Sequence, residues 1–181
     1  MDFLQLERVV LIGHSMGGPV IVEGARIAAQ NVIGLVGVDT LQDRDARSMT
    51  HEAVQRSVAR FENDFAGAIR ELVSAAMFVR TSDPELKSWI VEYMASAAPE
   101  AGIEVLRSTL LWPSTSRSAA LAALPAPVRL INSTLFPTNA AVVERYGMDV
   151  VIMSEVGHFL MMEAPESFNA LLSSAIEEFA D

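Results

Sequence analysis

The string Gly13-His14-Ser15-Met16-Gly17 sets a serine between two glycines at G-x-S-x-G spacing. A serine hydroxyl is a poor nucleophile until a base takes its proton, so this spacing offers covalent catalysis by an activated oxygen. The candidate base is His158, in Val156-Gly157-His158-Phe159 far along the chain. An imidazole beside Ser15 would accept its proton and return it later. The alternative for His158 is a ring packed under the terminal helix. His14 reads as packing beside Ser15, and His51 as a surface residue.

These groups need elements to position them. Arg8-Val9-Val10-Leu11-Ile12 is a short apolar run that predicts a buried strand, and Met16 to Gln30 predicts a helix. Strand, sharp turn and helix are the context of a nucleophile elbow, which lifts the serine into a strained backbone and exposes its oxygen. Gly13 and Gly17 are then places where a Cβ would collide as strand and helix cross. A second strand, Val32 to Val38, ends at Asp39; an unbroken apolar strand reached through a helix implies a parallel sheet covered on both faces.

Three blocks follow. Residues 1–40 hold strand, elbow, helix and strand. Residues 41–124 are mostly helical, after a charged loop from Gln42 to Arg47. Val54, Val58, Phe61, Phe65, Ile69, Leu72 and Met77 recur at helical spacing, with a break expected at Gly67. Ser82-Asp83-Pro84 opens a further helix with a capping residue and a first-turn proline, and Trp89, Ile90, Tyr93 and Met94 form its predicted apolar stripe. Another helix is expected from Pro99 to Leu111, closed by Trp112-Pro113, and a short alanine-rich one before Pro125. Residues 125–181 return to alternation: strand Pro127 to Ile131, helix Ala140 to Tyr146, strand Asp149 to Met153, helix Pro165 to Phe179. His158 falls just past the last strand, at the carboxyl edge where an open parallel sheet gathers catalytic groups.

The bulk composition narrows the partners. The 181 residues are 51% hydrophobic, enough for a sizeable core. A net charge of -10 argues against nucleic acid or an anionic membrane. There is no cysteine, which excludes disulfides, thiol catalysis and cysteine metal sites. Three scattered histidines do not make a histidine-rich metal site. No apolar run reaches the length of a membrane span, and Met1-Asp2 does not open a signal peptide. The expected location is the cytoplasm.

Taken with Gly157-His158-Phe159 and Glu163-Ala164-Pro165-Glu166, the string Gly13 to Gly18 resembles the α/β-hydrolase-fold enzymes of the lipase, esterase and haloperoxidase-like group. The order of serine early and histidine last is the one that fold uses. A serine nucleophile argues against the dehalogenase and epoxide-hydrolase branches, which use aspartate. The resemblance covers the C-terminal half of the fold, because only a dozen residues precede the elbow where the family has about half a sheet. It implies a partial α/β-hydrolase fold: a parallel sheet of about four strands with flanking helices, a core from residues 1–40 and 125–181, and a helical lid from 41–124. The implied reaction is hydrolysis of a small-molecule ester by Ser15 and His158, with no metal or organic cofactor. Esterase, lactonase, C–C hydrolase and perhydrolase are not separated.

Two departures from the family stand out. The usual catalytic acid follows the strand that here ends at Ile131, yet Thr134 stands near its place and no Asp or Glu occurs between Glu104 and Glu144. Asp39 is the best substitute, with the alternative that it caps the turn into the charged loop. The oxyanion hole draws one donor from the Met16 N–H, while its usual second donor comes from an earlier strand's loop. The lid offers Phe61, Phe65, Met77, Phe78, Trp89, Met94 and Trp112 for an apolar acyl or alcohol pocket, or as the insertion's own core. The rival reading is a truncated or inactive fragment serving as an interaction module. The strand 8–12 edge is expected to lack its usual neighbour, so that the isolated chain self-associates through it, aggregates, or needs upstream residues to be soluble.

Overall fold

The structure is a computed structural model and describes residues 2–42 and 49–180. The charged loop expected after Gln42 lies outside the described residues. Strand β1 (Val9–His14) leads through the elbow into helix α1 (Gly17–Ile27) and strand β2 (Val32–Val38). Helices α2 (His51–Asn63), α3 (Phe65–Ala76), α4 (Pro84–Ala95), α5 (Pro99–Thr115) and α6 (Arg117–Ala122) follow. The chain then returns through β3 (Val128–Ser133), α7 (Ala140–Arg145), β4 (Asp149–Met153), the single turn α8 (Leu160–Glu163) and α9 (Pro165–Ala180).

The four strands form one parallel sheet in the order β1-β2-β3-β4. It is a partial α/β-hydrolase arrangement, with helices on both faces. Along β2, Leu35 packs with Ile21, Val22 and Ala25 of α1 and Leu121 of α6. Its neighbour Val36 packs with Phe168 and Ala175 of α9 on the other face. Burial on both faces is why β2 reads as an unbroken apolar run rather than an alternating one. The register pairs His14 with Val38, Val38 with Ile131, and Ser133 with Met153. The carboxyl ends of the strands therefore finish together, and the loops after them share one edge. Among the described residues β1 lies at an outer edge, where Ile12 is 47% exposed.

Local chemistry moves some predicted boundaries. The long helical pattern breaks at Asp64 rather than Gly67: Asp64 leaves helical φ/ψ, and its carboxylate accepts the Gly67 N–H at 2.9 Å as the cap of α3. A Cβ on Gly67 would sit 2.1 Å from that carboxylate, so the glycine belongs to the cap and not to the break. Helix α5 runs past Trp112-Pro113 to Thr115; a proline in the last turn removes a single helical bond there. Asp83 accepts the Glu85 and Leu86 N–H groups at 2.8 Å each and starts α4 as its sequence predicts.

Candidate active site

The elbow is built from the tight crossing of β1 and α1. Ser15 takes φ +54°, a left-handed conformation that costs a non-glycine residue on the order of 1–3 kcal/mol. Its N–H bonds the Val38 carbonyl at 2.9 Å, and its carbonyl accepts the Gly18 N–H at 3.0 Å and the Thr40 hydroxyl at 2.6 Å. The two motif glycines differ in role, contrary to the symmetrical expectation. A Cβ on Gly13 would lie 2.3 Å from the Gly17 carbonyl oxygen, whereas a Cβ on Gly17 would meet nothing within 4 Å. The second tight position is Gly18, where a Cβ would lie 2.1 Å from Thr40 Oγ1.

Ser15 Oγ is 2.8 Å from His158 Nε2, and His158 Nδ1 is 2.6 Å from Asp39 Oδ2. The carboxylate can only accept from Nδ1–H, which leaves Nε2 to accept from the serine hydroxyl. Asp39 is 1% exposed and sits at φ +43° just past β2. Its Oδ1 accepts from the Ser133 N–H at 2.8 Å, the Ser133 hydroxyl at 2.9 Å and the Gln42 amide at 3.1 Å. The loop after β3 carries no carboxylate, and its strand end instead supplies donors to the one on β2. Thr134, near the family's usual acid position, gives its N–H to the Met153 carbonyl at 3.1 Å. Buried Asn132 holds the residue after Asp39 by accepting the Thr40 N–H at 3.1 Å and donating to the Thr40 carbonyl at 3.2 Å. Thr40 therefore ties the elbow to the turn that carries the acid.

His14 lies against the site. Its Nε2–H donates to the His158 carbonyl at 2.7 Å, and the two rings are 4.6 Å apart. Burial lowers the His14 pKa, the His158 ring adds to the depression, and the bond to the His158 carbonyl and the charge of Asp39 oppose it.

The histidine loop is held from outside by Glu163, whose part in the site its sequence neighbourhood alone does not reveal. Its carboxylate accepts the Gly157 N–H at 3.0 Å, the Phe159 N–H at 3.3 Å and the Ser82 hydroxyl at 2.6 Å. The His158 N–H donates to the Met77 carbonyl at 2.8 Å. A Cβ on Gly157 would lie 2.6 Å from that same carbonyl, so only glycine permits the approach. Glu163 is a positioning residue in this geometry. Glu163→Ala is expected to lower kcat on a p-nitrophenyl ester roughly tenfold to a hundredfold, the worth of hydrogen bonds to a charged group, while KM changes little. Steady-state kinetics check this, and an unchanged kcat would refute it.

Above Ser15 lies a cavity of about 730 Å³. Of the side chains expected there, Phe61, Phe65, Met77 and Met94 line it, as do the unforeseen Leu72, Leu106 and Phe159. Trp89 and Trp112 do not. Helix α4 buries Ile90, Val91 and Ala95, which leaves Trp89 55% exposed and stacked on Tyr93 at 5.3 Å. Trp112 packs against the core under α1, and its indole N–H donates to Glu23 at 2.8 Å. Phe78 does not line the cavity either, and its ring meets Phe159 at 5.3 Å, tilted by 32°. His51 opens α2 and is exposed. Among the described residues no cluster of His, Asp or Glu could hold a metal, and no helix is long and apolar enough to cross a membrane.

No curated protein matches this chain. Among solved structures it is similar to a thermophilic esterase from Thermogutta terrifontis, with a TM-score of 0.76 and 23% identity over 98% of this chain and 68% of that one. An enol-lactonase from Burkholderia xenovorans matches with a TM-score of 0.75 and 18% identity, over 98% and 68%. A bromoperoxidase from Bacillus anthracis matches with a TM-score of 0.75 and 15% identity, over 97% and 70%. At such identities these likenesses concern the fold. The sequence profile described as the alpha/beta hydrolase family matches residues 1–171. That span takes in the sheet, the elbow and the histidine loop alike, and it makes the chain a member of the α/β-hydrolase family.

Proposed function

We propose that this protein is a serine hydrolase that cleaves a carboxylic ester by passing the acyl group first to Ser15 and then to water. The observation that carries this reading is the continuous chain from Ser15 Oγ through His158 to Asp39, at 2.8 and 2.6 Å. Ser15 Oγ attacks the ester carbonyl carbon as its proton passes to His158 Nε2. The carbonyl oxygen takes up the negative charge beside the Met16 N–H, which precedes the first intrahelical bond of α1. Collapse of this adduct breaks the bond to the alcohol oxygen, and His158 returns the proton to that leaving group. Water then repeats the cycle on the acyl-serine. Asp39 holds the imidazole in the useful tautomer and balances its positive charge. His14, held neutral by burial, adds no like charge beside the imidazolium. The second donor usual in such a hole is worth about 10²–10³-fold in turnover.

In this reading residues 1–40 and 125–181 carry the chemistry, and α2 to α5 cover it as a lid. A fluorophosphonate probe tests the reading without knowledge of the substrate. It is expected to label Ser15, located by peptide mass spectrometry. Labelling should vanish in Ser15→Ala and slow by orders of magnitude in His158→Ala. Equal labelling of the Ser15→Ala protein would remove the assignment.

A further inference from the structure

The ester-hydrolase reading leaves open which esters enter. We infer that the arm of the substrate that occupies the cavity is apolar, and that esters carrying a carboxylate in that arm are rejected. This rests on the reading of Ser15 as nucleophile.

The cavity wall carries the inference. Phe61, Phe65, Leu72, Met94, Leu106 and Phe159 make up much of it, and no Lys, Arg, Asp or Glu lines it among the described residues. Its titratable groups are the phenol of the exposed Tyr93 and the imidazoles of His14 and His158. Both imidazoles are engaged: the His14 Nε2–H by a backbone carbonyl, and both His158 nitrogens by Asp39 and Ser15. The His14 Nδ1 that remains is an acceptor and offers nothing to a carboxylate. The carboxylates nearest the site are engaged as well, Asp39 by four donors and Glu163 by two amides and a hydroxyl.

The charged residues of the covering helices pair on its outer surface. Arg70 forks onto Glu92, Arg107 bonds Glu62 and Glu104, and Arg56 bonds Glu52. A carboxylate entering the cavity would shed its hydration and find no cationic side chain to pair with, a large penalty in apolar surroundings. A neutral chain would exchange water for aromatic and thioether contacts instead. The volume of about 730 Å³ falls in the range that encloses most of a small ligand. The overall charge of -10 adds a long-range bias against anions.

The test measures binding apart from turnover. In the Ser15→Ala protein, titration calorimetry compares methyl hexanoate with monomethyl adipate, which differ at the far end of one chain. Methyl hexanoate is expected to bind at least about 30-fold more tightly. Affinities within threefold of each other, a tighter adipate, or no binding of methyl hexanoate up to its solubility would each overturn the inference. Met94→Lys in the same background sets an ammonium on the wall at nearly unchanged length. It is expected to reverse the order of hexanoate and adipate, with folding checked by circular dichroism. A folded variant with the original order would overturn the wall assignment, and the Ser15→Ala series still decides if the variant does not fold. Separately, wild-type protein is assayed on p-nitrophenyl hexanoate. No turnover there, with neutral selectivity intact, would sink the hydrolase reading and leave this one standing.

Discussion

Asp39→Asn is expected to lower ester turnover about 10⁴-fold while leaving the fold intact. The reason is the donor count around the side chain. Four donors converge on the two oxygens of Asp39: the His158 ring, the Ser133 N–H, the Ser133 hydroxyl and the Gln42 amide. An asparagine keeps one acceptor oxygen and replaces the other with two N–H donors. If the amide nitrogen faces His158, the ring must present Nδ1 as acceptor, and its proton moves to Nε2. Nε2 can then no longer accept from Ser15. If the amide nitrogen faces Ser133, it opposes a backbone N–H that cannot turn away. Ser133→Ala removes one donor and leaves the carboxylate, so its loss should stay near tenfold. Rates on a p-nitrophenyl ester, with circular dichroism as the control, measure both. Unchanged turnover in Asp39→Asn would show that Ser15 and His158 work without the acid, or that the activity comes from elsewhere.

The second large effect is on stability, and it separates two glycines of one motif. Gly13→Ala places a methyl 2.3 Å from the Gly17 carbonyl oxygen, 2.6 Å from its carbonyl carbon and 2.9 Å from Ile21 Cγ2. Two of those atoms are backbone in the first turn of α1, so relief requires the helix to move off the strand. Overpacking of this kind costs about 3 kcal/mol, which lowers Tm by roughly 10 °C in a chain of this size. Gly17→Ala meets nothing within 4 Å and is expected to stay within about 0.5 kcal/mol of the parent. Thermal melts of the two variants decide the matter, and equal Tm values would show that the crossing is looser than described.

What the sequence conveyed depended on the range of the interaction. The strand, elbow and helix over residues 8–30 were legible because apolar runs, glycines and serine are read within one short window. The sheet class followed from the unbroken apolar character of Val32 to Val38, since burial on both faces leaves no alternation. Helix ends were less legible. Asp64 caps α3 through a side-chain bond three residues ahead, and the more visible glycine drew attention to the wrong residue. The cavity was legible as a composition and not as a placement: Trp89 and Trp112 are large and apolar, yet helix rotation turns one outward and the indole of the other serves α1. Ser133, Asn132 and Thr40 were not legible as site residues at all. Their function is to satisfy groups about ninety residues away, at distances only the register of β2 with β3 sets.

The grip of Glu163 bears on how such enzymes can be recombined. The segment between α3 and α4 and the histidine loop share one set of hydrogen bonds, through the Met77 carbonyl and the Ser82 hydroxyl. A cassette of residues 49–122 taken from a relative would bring a new cavity wall, but it would also bring a new floor for the His158 imidazole. Exchanged alone, it should alter rate and preference together. Exchanged with a matching loop from Gly157 to Glu163, the two properties should become separable, because that pair of distant segments shares one set of hydrogen bonds.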